Sequence, residues 1–199
     1  MLKKENSARK AIICSEKQIF KGYFSVNKYE IKADNLDPDK KPLHFEREVM
    51  ISRDSVMVLI YATTVDSFVF CQQFRPGVFL NKSNDDPYFI ECIAGTIDKE
   101  KSPQEIACLE VKEEAGLEVT KLEKIATAYR SPGLMTEKTH YFYAQTEDEP
   151  KAGYYGVESE DILTHVVSRE KTFSLLEECK ILDTGTLLML NWFRANKNM

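Results

Sequence analysis

The segment from Ser102 to Gly116 constrains the fold more than any other part of the chain, because both of its ends carry helix-terminating signals. Ser102 can cap a helix, Pro103 suits the first helical position, and Glu105 completes a capping box. Gly116 stands where a left-handed residue commonly ends a helix. The sequence therefore predicts a helix over 103–115.

Most other apolar segments resemble strands, because they alternate apolar with polar residues or form short runs rich in β-branched and aromatic residues. Arg75-Pro76-Gly77 is predicted to end a hairpin, and 147–159 to be irregular. The predicted strands are 12–20, 23–33, 44–52, 55–63, 68–74, 88–94, 119–129, 138–145 and 162–167, and the predicted closing helices are 171–179 and 184–195.

Charge and length limit the class of protein. The 199 residues carry 27 lysines and arginines against 32 aspartates and glutamates, a net charge of −5. An acidic chain of this kind is not expected to bind nucleic acid or an anionic membrane through a general positive field. Apolar runs such as 56–62 are only strand-length, so no membrane span is expected.

No secretory signal is expected from the first residues of the sequence. The start MLKKENSARK has no apolar segment of the kind that a signal peptide needs. The five cysteines are widely spaced and form no C-x-x-C pair. A reducing cytoplasm is therefore the expected location.

Three glutamates of the predicted helix, Glu110, Glu113 and Glu114, are spaced to share one face. Like charges at such spacings destabilise a helix by about 0.2–0.5 kcal/mol per pair. For an arbitrary helix, a solvated acidic face is the simpler explanation. The alternative is a divalent-cation site, because carboxylate oxygens suit Mg²⁺. A strand running into Gly95 just before the helix favours the cation site, because it brings backbone carbonyls close to the glutamates.

The segment GTIDKEKSPQEIACLEVKEEAGL, residues 95–117, resembles the Nudix box at fixed spacing. It departs from the family pattern at two positions, where Lys101 replaces a glutamate and Leu109 replaces an arginine. The matching residues are Gly95, Glu110, Val111, Glu113, Glu114, Gly116 and Leu117.

The resemblance extends over residues 23–193 and is strongest to the ADP-ribose pyrophosphatase branch, especially its GDP-mannose hydrolase relatives. Pro132 lies sixteen residues beyond Gly116, where this branch characteristically has a proline. The other shared segments, in the expected order, are Arg47-Glu48-Val49, Gln73-Phe74-Arg75, Glu91 with Ala94-Gly95, Ser131-Pro132-Gly133 with Thr136-Glu137, and Gly156-Val157-Glu158 through Asp161.

The resemblance implies an α+β fold: a Nudix α/β/α sandwich with a mixed sheet, preceded by a small N-terminal antiparallel β section. Residues 1–48 form that section in this interpretation, and 49–199 form the catalytic domain. The N-terminal section is too small to bury a core of its own. Because the N-terminal strands of this branch commonly complete a partner's site, the resemblance also implies a homodimer.

The resemblance further implies a metal site and its catalytic groups. The Ala94 carbonyl, Glu110, Glu114 and Glu160 are the expected ligands of Mg²⁺, with Mn²⁺ as a possible substitute. Glu160 is also the expected group that orients or activates water, and Glu158 is the next candidate. The expected catalytic residues are Glu160, Glu114, Glu113 and Glu137.

Substrate contacts are assigned by the same resemblance. A guanidinium can bind phosphate bidentately, although each arginine could equally pack on a strand surface. Tyr23 could stack on a base or fill a core. Relatives often have lysine where Gly185 stands, so a substrate contact is expected to be missing there. The expected substrate-binding residues are Tyr23, Arg47, Glu48, Arg75, Ala94 and Glu137.

The function implied is Mg²⁺-dependent hydrolysis of the diphosphate of ADP-ribose or a nucleotide sugar such as GDP-mannose. The products are a nucleoside monophosphate and a sugar phosphate. Lys101, Leu109 and Gly185 motivate an alternative, a weakly active or inactive Nudix-fold protein that senses a nucleotide sugar. Retention of Glu110, Glu113 and Glu114 weighs against that alternative, because a protein that only binds need not keep clustered like charges. A structural protein with an acidic helix is a third alternative, which the matches outside the box disfavour.

Overall fold

The computed structural model describes residues 9–97, 100–119, 121–156 and 161–197. Within them the chain forms two compact units. The first comprises 9–53 together with 129–137, and the second comprises 54–128 together with 138–197.

The first unit is an antiparallel sheet of β1 (Ala11–Lys21), β2 (Ser25–Ala33) and β3 (Leu43–Ile51), in that order. Every residue of β1 is exposed, including its isoleucines and Phe20. Residues 129–137 join this unit through Met50, whose N–H donates to the Leu134 carbonyl at 2.9 Å. The predicted small N-terminal antiparallel section is confirmed.

The second unit contains one mixed sheet with helices on both faces, as expected for the α+β class. Its strands run in the order β10-β11-β5-β4-β9-β8, with β6 on β5 and β7 on β4. Its elements are β4 (Ser55–Ala62), β5 (Ser67–Phe74), α1 (Pro76–Leu80), β6 (Tyr88–Glu91), β7 (Ile93–Thr96), α2 (Pro103–Ala115), β8 (Leu122–Tyr129), β9 (Lys138–Thr146), β10 (Gly153–Tyr155), β11 (Ile162–Ser168), α3 (Arg169–Glu177) and α4 (Thr184–Asn196).

Strand β4 lies at the centre of this sheet and is buried on both faces. It pairs in parallel with β9 and antiparallel with β5 and β7. Since successive side chains of a strand point to opposite faces, Val56 and Val58 join the core beneath α2, whereas Met57 and Leu59 join the core beneath α3 and α4. The sheet is thus covered on both sides, as in an α/β/α sandwich.

Helix α2 begins and ends where the sequence predicts. The Ser102 hydroxyl accepts the Glu105 N–H, the Glu105 carboxylate accepts the Ser102 N–H at 2.7 Å, and Gly116 adopts a left-handed φ of 64°. Burying a side chain such as Ile106 or Val111 contributes about 1.5–3 kcal/mol each. The capped helix is therefore held firmly on its face of the sheet.

Two local expectations were wrong, and one helix was not anticipated. The segment 88–94 forms two strands rather than one, because the Cys92 N–H leaves the ladder and donates to Thr186 Oγ1 at 2.9 Å. The hairpin ends before Arg75 as expected, and proline at the first position of α1 also starts a short helix that the sequence analysis did not predict. Residues 153–155 of the segment expected to be irregular form β10 on the edge of the sheet.

Candidate functional site

Two glutamates of α2 reach consecutive residues of β7. Glu114 is only 3% exposed, and its Oε2 accepts the Ala94 N–H at 3.2 Å. Glu110 lies against Gly95 so closely that a Cβ atom at residue 95 would be 1.9 Å from Glu110 Oε1. The absence of a side chain at Gly95 is therefore what lets the Glu110 carboxylate approach β7.

The last turn of α2 is held in place by hydrogen bonds from other elements. The Thr164 hydroxyl of β11 donates to the Glu114 carbonyl. The Gly156 N–H donates to the Glu113 carbonyl at 3.2 Å. These bonds use carbonyls at the helix end that α2 itself leaves without partners, so they fix the segment that carries Glu113 and Glu114.

A second buried carboxylate lies on the same face of the sheet. Glu91 is opposite Cys71 in the pairing of β6 with β5, and Cys71 belongs to the core beneath α2. Arg75 Nε donates to Glu91 Oε1 at 2.6 Å. Burial by itself would lower the pKa of Arg75, but its hydrogen bond to Glu91, aided by the charge of Glu114, raises that pKa instead.

The thiol of Cys71 lies close to the same two buried carboxylates, Glu91 and Glu114. Burial, followed by the charges of Glu114 and Glu91, raises the pKa of Cys71 well above its usual value. The Cys71 Sγ lies 3.6 Å from the Glu91 carbonyl and 3.7 Å from the Cys92 carbonyl. This thiol is therefore a neutral core group and not a nucleophile.

Known proteins of similar sequence span nearly the whole chain. No family model matches it. An ADP-ribose pyrophosphatase of Haemophilus influenzae is 29% identical over 187 residues, covering 92% of this chain and 86% of that protein. A GDP-mannose pyrophosphatase of Escherichia coli O9:H4 is 29% identical over 188 residues, covering 94% and 96%. An ADP-ribose pyrophosphatase of Escherichia coli K12 is 27% identical, covering 92% and 88%.

Similarity of fold extends equally far. A crystal structure of an ADP compounds hydrolase superposes with a TM-score of 0.70 and 19% sequence identity, covering 97% of this chain and 99% of that one. These relatives and this fold support the resemblance of the chain to the Nudix hydrolases. The similarity is to the branch of the ADP-ribose and GDP-mannose pyrophosphatases.

The donors that the Nudix box brings together fit a hard cation. Glu110 and Glu114 supply carboxylate oxygens beside Gly95 and Ala94, and oxygen ligands are those that Mg²⁺ prefers. Among the described residues, three or more acidic, histidine or cysteine side chains do not converge on one metal position. The expected fourth ligand, Glu160, and its neighbour Glu158 lie outside the described residues.

Four of the expected site residues belong to the first unit. Tyr23 follows β1 and is 96% exposed, so it is not a core aromatic. Arg47 and Glu48 are exposed on β3, where the Arg47 guanidinium lies 4.9 Å from the centre of the Phe45 ring. Glu137 is half-buried, with its Oε1 3.9 Å from a terminal nitrogen of Arg130.

Gly185 has a packing role in this chain. It is buried in the first turn of α4, and a Cβ there would lie 2.3 Å from Met57 Sδ and 3.2 Å from Tyr141 Cε1. A lysine side chain does not fit at this position without displacing Met57. The departure from the relatives is therefore accounted for by how α4 packs on β4.

One functional feature was missed by the sequence reasoning. The ion pair of Glu91 with Arg75 was not anticipated, because the two residues are sixteen positions apart and Glu91 lies within an apolar strand. The signal that could have found it is the charge itself, since a glutamate in a buried strand needs a partner.

No helix in the described residues is long and apolar enough to span a membrane.

Proposed function

We propose that this Nudix protein is a Mg²⁺-dependent hydrolase that cleaves the diphosphate of ADP-ribose or of a nucleotide sugar such as GDP-mannose. The products are a nucleoside monophosphate and a sugar phosphate. The observation that carries the proposal is the placement of the Glu110 and Glu114 carboxylates beside Gly95 and Ala94. The names of the relatives, two of them ADP-ribose pyrophosphatases and one a GDP-mannose pyrophosphatase, support the substrate class.

In this proposal Glu110, Glu114 and the Ala94 carbonyl hold the cation, and Glu113 contributes through water. The chemistry that Mg²⁺ supplies in such a site is neutralisation of the diphosphate charge and a lowered pKa of bound water. Mn²⁺ has similar ligand preferences and is an expected substitute.

The remaining groups act on water and substrate. Hydrolysis adds a water oxygen to phosphorus and breaks the bridging P–O bond, so a base must take a proton from that water. Glu160 is our candidate for this base, with Glu158 as the next. Arg47 and Arg75 are candidates for binding phosphate oxygens, and a planar guanidinium suits that contact.

Tyr23, Glu48 and Glu137 are proposed to contact the substrate, with Tyr23 stacking on the base. Its high exposure supports that role, because an aromatic ring in water is available to a ligand. We further propose that a second copy of the chain covers β1, whose exposed side chains include Ile12, Ile13 and Phe20. Sedimentation of the purified chain tests the dimer.

A phosphate-release assay tests the activity. The protein is incubated with Mg²⁺ and, in separate reactions, ADP-ribose, GDP-mannose, UDP-glucose and ADP-glucose, and a phosphatase then liberates phosphate from the products. Glu114→Gln is the matched variant, because its side-chain oxygen can still accept the Ala94 N–H while the charge is lost. We expect it to reduce turnover about a thousandfold with little change in melting temperature.

The nucleotide-sugar sensor is the alternative outcome. Lys101 and Leu109 still depart from the Nudix box, whereas Gly185 no longer supports that alternative because packing explains it. Saturable binding without turnover of any of the four substrates, with either Mg²⁺ or Mn²⁺, would establish a sensor and contradict the hydrolase.

A further inference from the structure

Glu91 is a buried carboxylate to which the proposed reaction gives no role. It is the last residue of β6 and only 2% of its surface is exposed. Its pairing with Cys71 places it on the face of the sheet that α2 covers, which is also the face of Glu114. Glu91 therefore lies within the layer that carries the Nudix box, without belonging to the box.

Arg75 connects Glu91 to the solvent side of that layer. Its Nε donates to Glu91, while 37% of its side chain remains exposed. Within the described ranges this is the only hydrogen bond of the guanidinium, so its terminal nitrogens keep donors to offer. The charge of Glu114 also acts on Arg75, so the guanidinium is near enough to α2 to sense that carboxylate.

We propose that Glu91 is a positioning residue, which holds the Arg75 guanidinium by its Nε edge and presents its terminal nitrogens to a phosphate oxygen of the substrate. This inference rests on the proposed function. A guanidinium has donors on more than one edge, so one carboxylate can fix it while another anion binds. An arginine already held in place loses less conformational freedom when the substrate binds.

The competing explanation is that the pair only ties β6 to β5. Stability alone is a weak reason for such a pair, because well-packed apolar residues of similar volume are often as stabilising as a buried ion pair. The outer part of the Arg75 guanidinium is in contact with water, so its charge does not require a buried carboxylate as a partner. The pair is better explained by the orientation it imposes on Arg75.

A double-mutant cycle separates the two explanations. The proteins are the wild type, Glu91→Gln, Arg75→Gln and the double variant, and the measurements are kcat and KM on the best substrate of the panel. We also measure the dissociation constant of ADP-ribose by calorimetry in EDTA. We expect Glu91→Gln to raise both KM and the dissociation constant about tenfold with a smaller change in kcat. In the Arg75→Gln background the same substitution should change neither.

A purely structural pair gives a different pattern. Glu91→Gln would then lower the melting temperature while KM and the dissociation constant stay at their wild-type values, and that result would overturn the proposal. Independent effects that multiply in the double variant would overturn it as well. If Glu91→Gln does not fold, Glu91→Asp replaces it in the experiment. Aspartate keeps the negative charge, but its shorter side chain would pull the Arg75 guanidinium away from the substrate. It should raise KM, and an unchanged KM would count against the proposal.

The outcome also distinguishes this inference from the proposed function. A wild-type protein that turns over no substrate contradicts the hydrolase itself. An active wild type whose KM does not respond to either substitution of Glu91 contradicts only the positioning role.

Discussion

The two faces of the central sheet have different contents. Beneath α2 the core is mostly aliphatic, and it includes the buried carboxylates Glu91 and Glu114. Beneath α3 and α4 the core is built largely from aromatic rings. The buried acid Asp183 on that side caps α4, where its Oδ2 accepts the Thr186 N–H at 2.7 Å.

The difference indicates a division of roles. Burying carboxylates beneath α2 has a desolvation cost that an apolar core avoids, and the cation site proposed for that face would account for it. Rings beneath α3 and α4 pack against one another, as Phe193 does with Phe68 at 4.8 Å between ring centres. A substitution on one face should therefore affect activity, and a substitution on the other should affect stability.

The largest effect is expected from Phe193→Ala. Phe193 is 1% exposed and its ring contacts Tyr61, Phe68 and Tyr143. Removing such a ring costs about 3–5 kcal/mol of unfolding free energy. Urea unfolding measures this loss, and kcat per folded molecule should stay near the wild-type value. A large fall in kcat without a loss of stability would break the comparison.

Gly185→Ala should destabilise the same face by a smaller amount. Its added methyl group would meet Met57 Sδ at 2.3 Å, and overpacking of this kind costs about 1–3 kcal/mol. Thermal unfolding measures the effect, and turnover at a temperature where the variant is folded should not change. A change in KM without a loss of stability would instead indicate that Gly185 affects substrate binding.

Gly95→Ala is the counterpart on the α2 face. Its methyl group would displace the Glu110 carboxylate, a flexible side chain, so the fold should tolerate the change while the metal site does not. We expect turnover to fall about tenfold, equivalent to about 1.4 kcal/mol. Gly77→Ala is the control, since a Cβ there has nothing within 4 Å among the described atoms. Loss of stability together with unchanged turnover would refute this assignment.

The smallest effect is expected from Asp66→Asn, at the turn between β4 and β5. Asp66 accepts hydrogen bonds from Arg169 and Tyr61, and these lower its carboxyl pKa below the ordinary 3.8. A carboxyl group whose pKa is lowered in the folded protein stabilises the folded state at pH values above its ordinary pKa. That stabilisation is lost as the pH falls through the lowered pKa. Asn tolerates the left-handed φ of 45° at this position.

Thermal unfolding at several pH values tests this substitution. Because the pair is exposed, the difference from wild type at neutral pH should be below about 1 kcal/mol. It should shrink between about pH 5 and about pH 2. Asp148→Asn is the control at an exposed residue. A difference that grows with acidity would contradict the sign of the effect.

Local signals in the sequence were sufficient for the best-defined elements. The capping box at Ser102 and the terminating Gly116 placed both ends of α2, because those signals act within one turn of the helix. The hairpin of β4 and β5 was equally readable from its apolar runs. The division of 88–94 into two strands was not, because it depends on a hydrogen bond from Cys92 to Thr186, which is distant in sequence.

In the candidate site, too, some features follow from local sequence patterns and others depend on how distant elements pack together. Glu110 and Glu114 were predictable because helix spacing puts them on one face. Their contacts with Gly95 and Ala94 follow from how α2 docks on β7, which no local pattern specifies. The pair of Glu91 with Arg75 depends on the register of β6 with β5, so it became visible only in the folded chain.

The central claim is that the α2 face binds a divalent cation where β7 meets the Nudix helix. Crystals of the protein soaked in Mn²⁺ test this most directly through anomalous scattering. The account predicts a peak beside the Ala94 carbonyl and the carboxylates of Glu110 and Glu114, and its loss in Glu114→Gln. A peak remote from these three groups, or none at saturating Mn²⁺, would contradict the claim.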